Sequence, residues 1–174
     1  CQQLIDWDCA ALERGDTVEL LEVETEHNLI LSIPGINAPV KLRGVVDRLD
    51  RCNGVLRVID YKTGNVQPSD LNISDWAELT ESHKKEKAFQ ILTYAYMHFK
   101  DDQGFKSMEQ QTIAGILSFK NFGQGLMTYA FKPDRNKRLE EISLETLSLY
   151  QEQLFELIRE IHNPEIPFIA HKES

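Results

Sequence analysis

The chain has 174 residues, 41% hydrophobic and 27% charged, with a formal net charge of −9. That length suits one domain able to bury ~70% of its unfolded surface, and the composition is that of an ordinary soluble globule. No apolar run approaches the ~20 residues of a membrane span, no signal peptide is visible, and Cys1, Cys9 and Cys52 follow no disulfide pattern, so the expected setting is a reducing, cytoplasmic one.

Residues 3–14 predict a short helix. Thr17–Glu24 and Leu29–Ile33 predict two strands separated by Glu26-His27-Asn28, and Pro34-Gly35 ends the second. Val40–Asp50 and Val55–Lys62 predict a hairpin, because Asn53-Gly54 between β-branched runs supplies the two residues that tolerate the positive φ of a tight turn. Asn65–Glu81 is a long connection leaving the second hairpin strand, placed to border a groove there, with Trp76 expected to pack it down. Ser82–Lys100 predicts a helix whose apolar residues recur at helical spacing beside a polar stripe of His83, Lys87, Gln90 and Tyr94. Thr112–Lys120 and Leu126–Phe131 predict two further strands. Ser143–His162 predicts an amphipathic helix burying Leu147, Tyr150, Leu154, Leu157, Ile158 and Ile161, stopped by Asn163-Pro164. This order of elements predicts an α/β fold, a mixed central sheet flanked by helices.

The hairpin carries the chemistry. If Cys52 faces Val55, Asp47 falls opposite Asp60, with Cβ atoms ~5 Å apart. Two carboxylates that close repel unless a cation lies between them. Lys62 shares their face, two residues beyond Asp60. The same register sets Asp50 against Arg57 on the other face. Oxygen donors without cysteine or histidine suit Mg²⁺ or Mn²⁺, which polarises a phosphoryl oxygen and acidifies a bound water. A lysine beside them can hold that water or neutralise growing charge. The parts fit metal-dependent phosphodiester hydrolysis.

Three stretches together resemble the PD-(D/E)XK nuclease superfamily, with its restriction-endonuclease-like core. They are Gly44-Val45-Val46-Asp47-Arg48-Leu49-Asp50, Ile59-Asp60-Tyr61-Lys62-Thr63-Gly64 and Gln90-Ile91-Leu92-Thr93-Tyr94, in family order over about half the chain. Within the superfamily the motifs are most similar to the RecB/AddB-like nuclease domains. The resemblance implies that Asp47, Asp60 and the Tyr61 backbone carbonyl are metal ligands and that Lys62 is the catalytic lysine. It also implies that Gln90 and Tyr94, with Lys87 on the same stripe, support the site or the DNA backbone.

Two features depart from that pattern. The branch usually carries a histidine or glutamate on an upstream helix as a further ligand, whereas residues 1–16 offer only Asp6, Asp8, Glu13 and Asp16, with Glu13 a poor stand-in. Some relatives bind an iron–sulfur cluster through one early and three late cysteines. Nothing follows Cys52 here, so no such cluster is expected from this chain alone. A start at Cys1 and a stop soon after Pro167-Phe168 predict a single nuclease domain over residues 1–174, cut from a longer protein.

The net charge works against independent DNA binding, which rests on phosphate neutralisation. Residues 41–62 nevertheless hold six basic side chains against three acids, and Lys84, Lys85, Lys87 and Lys100 lie near the second helix, so a locally basic site on an acidic body is expected. The sequence thus reads as a Mg²⁺-dependent (exo)deoxyribonuclease, with exo- versus endonuclease action left open, the nuclease module of a DNA repair or recombination protein linked to a helicase-like partner. The alternative is a catalytically silent nuclease-fold module for DNA binding or assembly.

Overall fold

The Asn53-Gly54 turn forms as its residues dictate, with φ of 50° and 81° at the two positions. From that turn the paired residues run Cys52↔Val55, Arg51↔Leu56, Asp50↔Arg57, Leu49↔Val58 and Arg48↔Ile59. This is the register expected from the sequence, and it organises everything around it. The computed structural model describes residues 2–101, 104–106 and 108–167. Cys1 and Phe168 lie outside the described residues.

Helix α1 (Gln2–Glu13) precedes three antiparallel strands, β1 (Val18–Leu31), β2 (Val40–Cys52) and β3 (Val55–Lys62). The connection after β3 holds α2 (Pro68–Leu71), β4 (Asn72–Ile73), α3 (Glu78–Glu81) and a 3₁₀ turn at His83–Lys85, which leads into α4 (Glu86–Phe99). Two-residue strands β5 (Lys100–Asp101) and β6 (Gly104–Phe105) pair with each other. They are followed by β7 (Thr112–Ser118), β8 (Leu126–Thr128), β9 (Ala130–Asp134), β10 (Lys137–Leu139) and α5 (Leu144–Ile161).

The main sheet has the order β1-β2-β3-β7-β8. Only β3 and β7 are parallel within it, from Leu56↔Thr112 to Lys62↔Ser118. A parallel pair needs a crossover, and α4 lies within that crossover. A second sheet joins β10, β9 and β4. The mixed sheet flanked by helices matches the fold expected from the sequence.

One sheet face carries Leu49, Leu56, Val58, Ala114 and Ile116 into a single apolar cluster with Ile91, Leu92, Ala95 and Tyr96 of α4 and Leu147, Tyr150 and Leu154 of α5. α5 begins with Ser143 as its cap, whose hydroxyl accepts the Thr146 N–H at 3.1 Å. Trp76 packs its ring 5.6 Å from Phe131 and lies against the core, the anchoring role expected for it.

Three local readings are corrected. Residues 18–31 form one strand rather than two, because β1 is a sheet edge paired along its length with β2, and Glu26, His27 and Asn28 are tolerated there. The expected strand over Leu126–Phe131 divides at Tyr129. Tyr129 donates its N–H to Ala114 O at 2.8 Å, and the chain then crosses into the second sheet. Ile161 is 49% exposed, since α5 runs past the core that covers Ile158.

Candidate active site

Asp47 and Asp60 meet where the β2–β3 ladder opens. The paired register stops at Arg48↔Ile59, one step before the two acids would face each other. In place of a main-chain acceptor, Asp47 Oδ2 takes the Tyr61 N–H at 2.7 Å. The two carboxylates are therefore neighbours at the mouth of the hairpin rather than a regular cross-strand pair, an arrangement that eases their repulsion. In an extended strand a residue's N–H and C=O point to the same side, so the Tyr61 carbonyl is directed at the Asp47 side of β3.

Asp60 is 3% exposed. Lys62 Nζ pairs with its buried Oδ2 at 3.0 Å. Burial raises the Asp60 carboxyl above its ordinary range; Lys62 opposes the shift and the Asp47 charge adds to it. A buried carboxylate beside a second carboxylate and a directed carbonyl is an all-oxygen donor set that fits a hard divalent cation.

The backbone beneath these groups is held from β7. Phe119 donates its N–H to Lys62 O at 2.8 Å, and Ser118 Oγ donates to Gly64 O at 2.7 Å. Asn121 clasps Val66, donating to its carbonyl at 2.7 Å. Helix α4 closes one side. Gln90 Nε2 donates to the Tyr94 hydroxyl at 2.7 Å. Burial raises the Tyr94 phenol, which also feels the charges of Asp60, Lys62 and Asp47, so its ring stands beside the cluster. Gly44 makes this approach possible: a Cβ there would lie 3.0 Å from Met97 Cε and 3.3 Å from Tyr94 Cε1.

Lys87 pairs with Asp70 of α2 at 3.3 Å, which ties α4 to the connection after β3, and His83 is exposed. Lys85 anchors the same connection, donating to Ser69 O at 3.0 Å and to Asn72 O at 2.6 Å. The basic character expected of the hairpin is largely spent on internal pairs. Arg43 pairs with Glu26, Arg51 with Glu19, and Arg48 and Arg57 with Asp50.

The Asp50–Arg57 match on the opposite face is part of a larger network. Arg57 donates to both Asp50 oxygens, at 2.6 and 2.7 Å, and Arg48 Nε donates to Oδ2 at 2.6 Å. Arg48 then grips both oxygens of Asp8 from α1, at 2.8 and 2.9 Å, while Trp7 lies against both guanidinium groups. Helix α1 therefore docks on the face away from Asp60. Its Asp8 is committed to Arg48 and its Glu13 is exposed on the same helix, so neither fits the role of the further upstream ligand that the resemblance implies. The sequence carries no local signal for the pairing of Arg48 with Asp8.

The family model of the PD-(D/E)XK nuclease superfamily matches residues 1–173, and the chain belongs to that superfamily. Its members are usually metal-dependent nucleases, although some are inactive. Comparison with curated proteins gave no match. A solved structure titled "Crystal structure of SSO0001" is similar over 88% of this chain and 55% of its own, at 11% identity and a TM-score of 0.32. The chain spans about half the length of that structure, and a likeness at this level adds nothing to the fold argument. No helix among the described residues is long and apolar enough to cross a membrane.

Proposed function

We propose that this chain is a metal-dependent DNA nuclease of the RecB/AddB-like branch, serving as the nuclease domain of a helicase–nuclease in DNA repair or recombination. The observation that carries the reading is the pair Asp47 and Asp60 at the open end of the hairpin, with Asp60 buried and Lys62 Nζ 3.0 Å from its Oδ2. Asp47, Asp60 and the Tyr61 carbonyl would hold Mg²⁺, with Mn²⁺ as an alternative. Such an ion, when bound, polarises a phosphoryl oxygen and acidifies a water.

The chain's own groups divide the remaining work. Asp47, fixed by the Tyr61 N–H, keeps one oxygen in a set position. Lys62 places an ammonium where negative charge grows as the phosphodiester is attacked, and can orient the incoming water. Tyr94, steadied by Gln90, supports the acids or contacts the DNA backbone, and Lys87 holds the adjoining connection in place.

The test is cleavage of single-stranded, double-stranded, linear and circular DNA with Mg²⁺, Mn²⁺ or chelator, comparing wild type with Asp60→Asn. Metal-dependent cleavage lost in the variant is the expected result. Cleavage that survives Asp60→Asn would refute the assignment of these acids, and a folded chain that binds metal at the acids but cuts nothing would favour the silent module.

A further inference from the structure

Glu22 and His27 lie five positions apart on β1. A regular strand would set them on opposite faces and roughly 16 Å apart along its length. Yet His27 Nε2 and Glu22 Oε2 are 3.0 Å from each other. The strand bends between them, with Glu24 at a φ of 48°. His98, in the last turn of α4, completes the group: the ligand atoms of Glu22, His27 and His98 all lie within 4.8 Å of one another. The two imidazoles meet edge to face with ring centroids 6.1 Å apart.

We propose that Glu22, His27 and His98 form a second metal site, for Zn²⁺ or a similar borderline transition metal, that clamps the edge strand β1 to the C-terminal turn of α4. Two imidazole nitrogens and one carboxylate oxygen suit Zn²⁺, whereas Mg²⁺ takes oxygen and water. Ligands at ~2.0–2.1 Å around a tetrahedral centre stand roughly 3.3 Å apart, so separations within 4.8 Å close by at most about 1.5 Å, within the reach of side-chain rotation. Glu22 and His98 both line a cavity of about 500 Å³ that also touches Arg51, Lys106 and Gln110, which leaves an entry path and room for a water as fourth ligand.

The surroundings favour a neutral ligand at His98. Burial lowers its pKa below the ordinary histidine value; Glu22 opposes the shift, and Lys106 and His27 reinforce it. Lys106, whose Nζ donates to the His98 carbonyl at 2.9 Å, is the charge working against a bound cation, and Glu22 the charge working for it. The site is separate from Asp47 and Asp60 in residues and in ligand chemistry, so it does not depend on the nuclease reading.

The experiment is Zn²⁺ stoichiometry by equilibrium dialysis, with Co²⁺ absorption as a readout of coordination, both in excess Mg²⁺, alongside thermal melting. One Zn²⁺ per chain is expected in wild type and in Asp60→Asn. His27→Gln and His98→Ala should weaken binding by more than the ~10–100-fold of losing an outer-shell partner. At 100 times its Kd, Zn²⁺ should raise the melting temperature of wild type by roughly 5–10 °C and leave the two histidine variants unmoved. His27 sits on the edge strand, so its variant keeps the test valid if His98→Ala fails to fold. No Zn²⁺ in wild type, equal binding in the histidine variants, or loss of binding in Asp60→Asn alone would overturn the proposal.

Discussion

Replacing Asp60 by Asn should stabilise the metal-free protein at neutral pH and destabilise it, relative to wild type, once metal is added. Asp60 is buried beside a second carboxylate, and burial disfavours its charged form by more than Lys62 favours it. Removing the charge forfeits the contact with Lys62, but that ammonium is 30% exposed and regains water. The sign follows from linkage. The folded-state pKa of Asp60 is raised above 3.8, so the folded protein keeps this proton at pH values where the unfolded chain has lost it. Stability therefore falls as pH rises from 3.8 through the folded pKa, and the loss is complete above it. Asn has no such window. At pH 7 in chelator, Asp60→Asn should melt about 2–4 °C above wild type for each kcal/mol gained, and the gap should close on acidification below the ordinary carboxylate range. Mg²⁺ at 100 times its Kd adds about 2.7 kcal/mol to wild type and none to the variant, which reverses the order. Scanning calorimetry across pH, with and without metal, reads all of this. A variant less stable than wild type in chelator, or gaining equally from Mg²⁺, would refute the reasoning.

Lys62→Ala should lower the cleavage rate by ~10²-fold or more while leaving metal affinity intact or raised, because an ammonium cannot ligate a cation; single-turnover kinetics beside metal titration checks it. Gly44→Ala should disturb the approach of Tyr94 while changing stability by less than about 1 kcal/mol, since its Cβ would meet the flexible end of Met97 at 3.0 Å and the Tyr94 ring edge at 3.3 Å; denaturant melts and activity measured together separate the two effects. Asp50→Ala should destabilise by about 3–5 kcal/mol, leaving Arg48 and Arg57 buried without their shared carboxylate, as urea unfolding would show. DNA binding by the chain should be weak and should fall steeply between low and physiological salt, because most hairpin arginines are already paired; tight, salt-insensitive binding in fluorescence anisotropy would contradict it.

The features legible in the sequence are those fixed by near neighbours. Asn53-Gly54 set the turn, the turn set the register, and the register placed Asp50 against Arg57. The spacing of α4 aligned Gln90 with Tyr94, and they share a hydrogen bond. Distant contacts were not legible. Nothing local links Asp8 to Arg48, forty positions away, so the use of Arg48 as the clasp of α1 could not be foreseen. Nor could counting bases along the hairpin reveal that Glu26 and Glu19 of β1 had already claimed Arg43 and Arg51. The end of the ladder was hidden for a different reason: a side-chain carboxylate competes there with the main chain for one N–H.

The parallel pairing of β3 with β7 has a consequence for the timing of synthesis. The two acids and Lys62 all lie on the early hairpin, but its far end is held by Ser118, Phe119 and Asn121, more than fifty positions later. At ~5–20 residues per second, a growing chain would carry the reactive trio for several seconds before those anchors emerged. The parallel pair cannot close until its crossover is complete, which makes it a late event of folding. A prematurely ended chain that stops short of β7 therefore bears Asp47, Asp60 and Lys62 without the anchors that hold the end of β3, so the arrangement of these groups would form only after β7 has emerged.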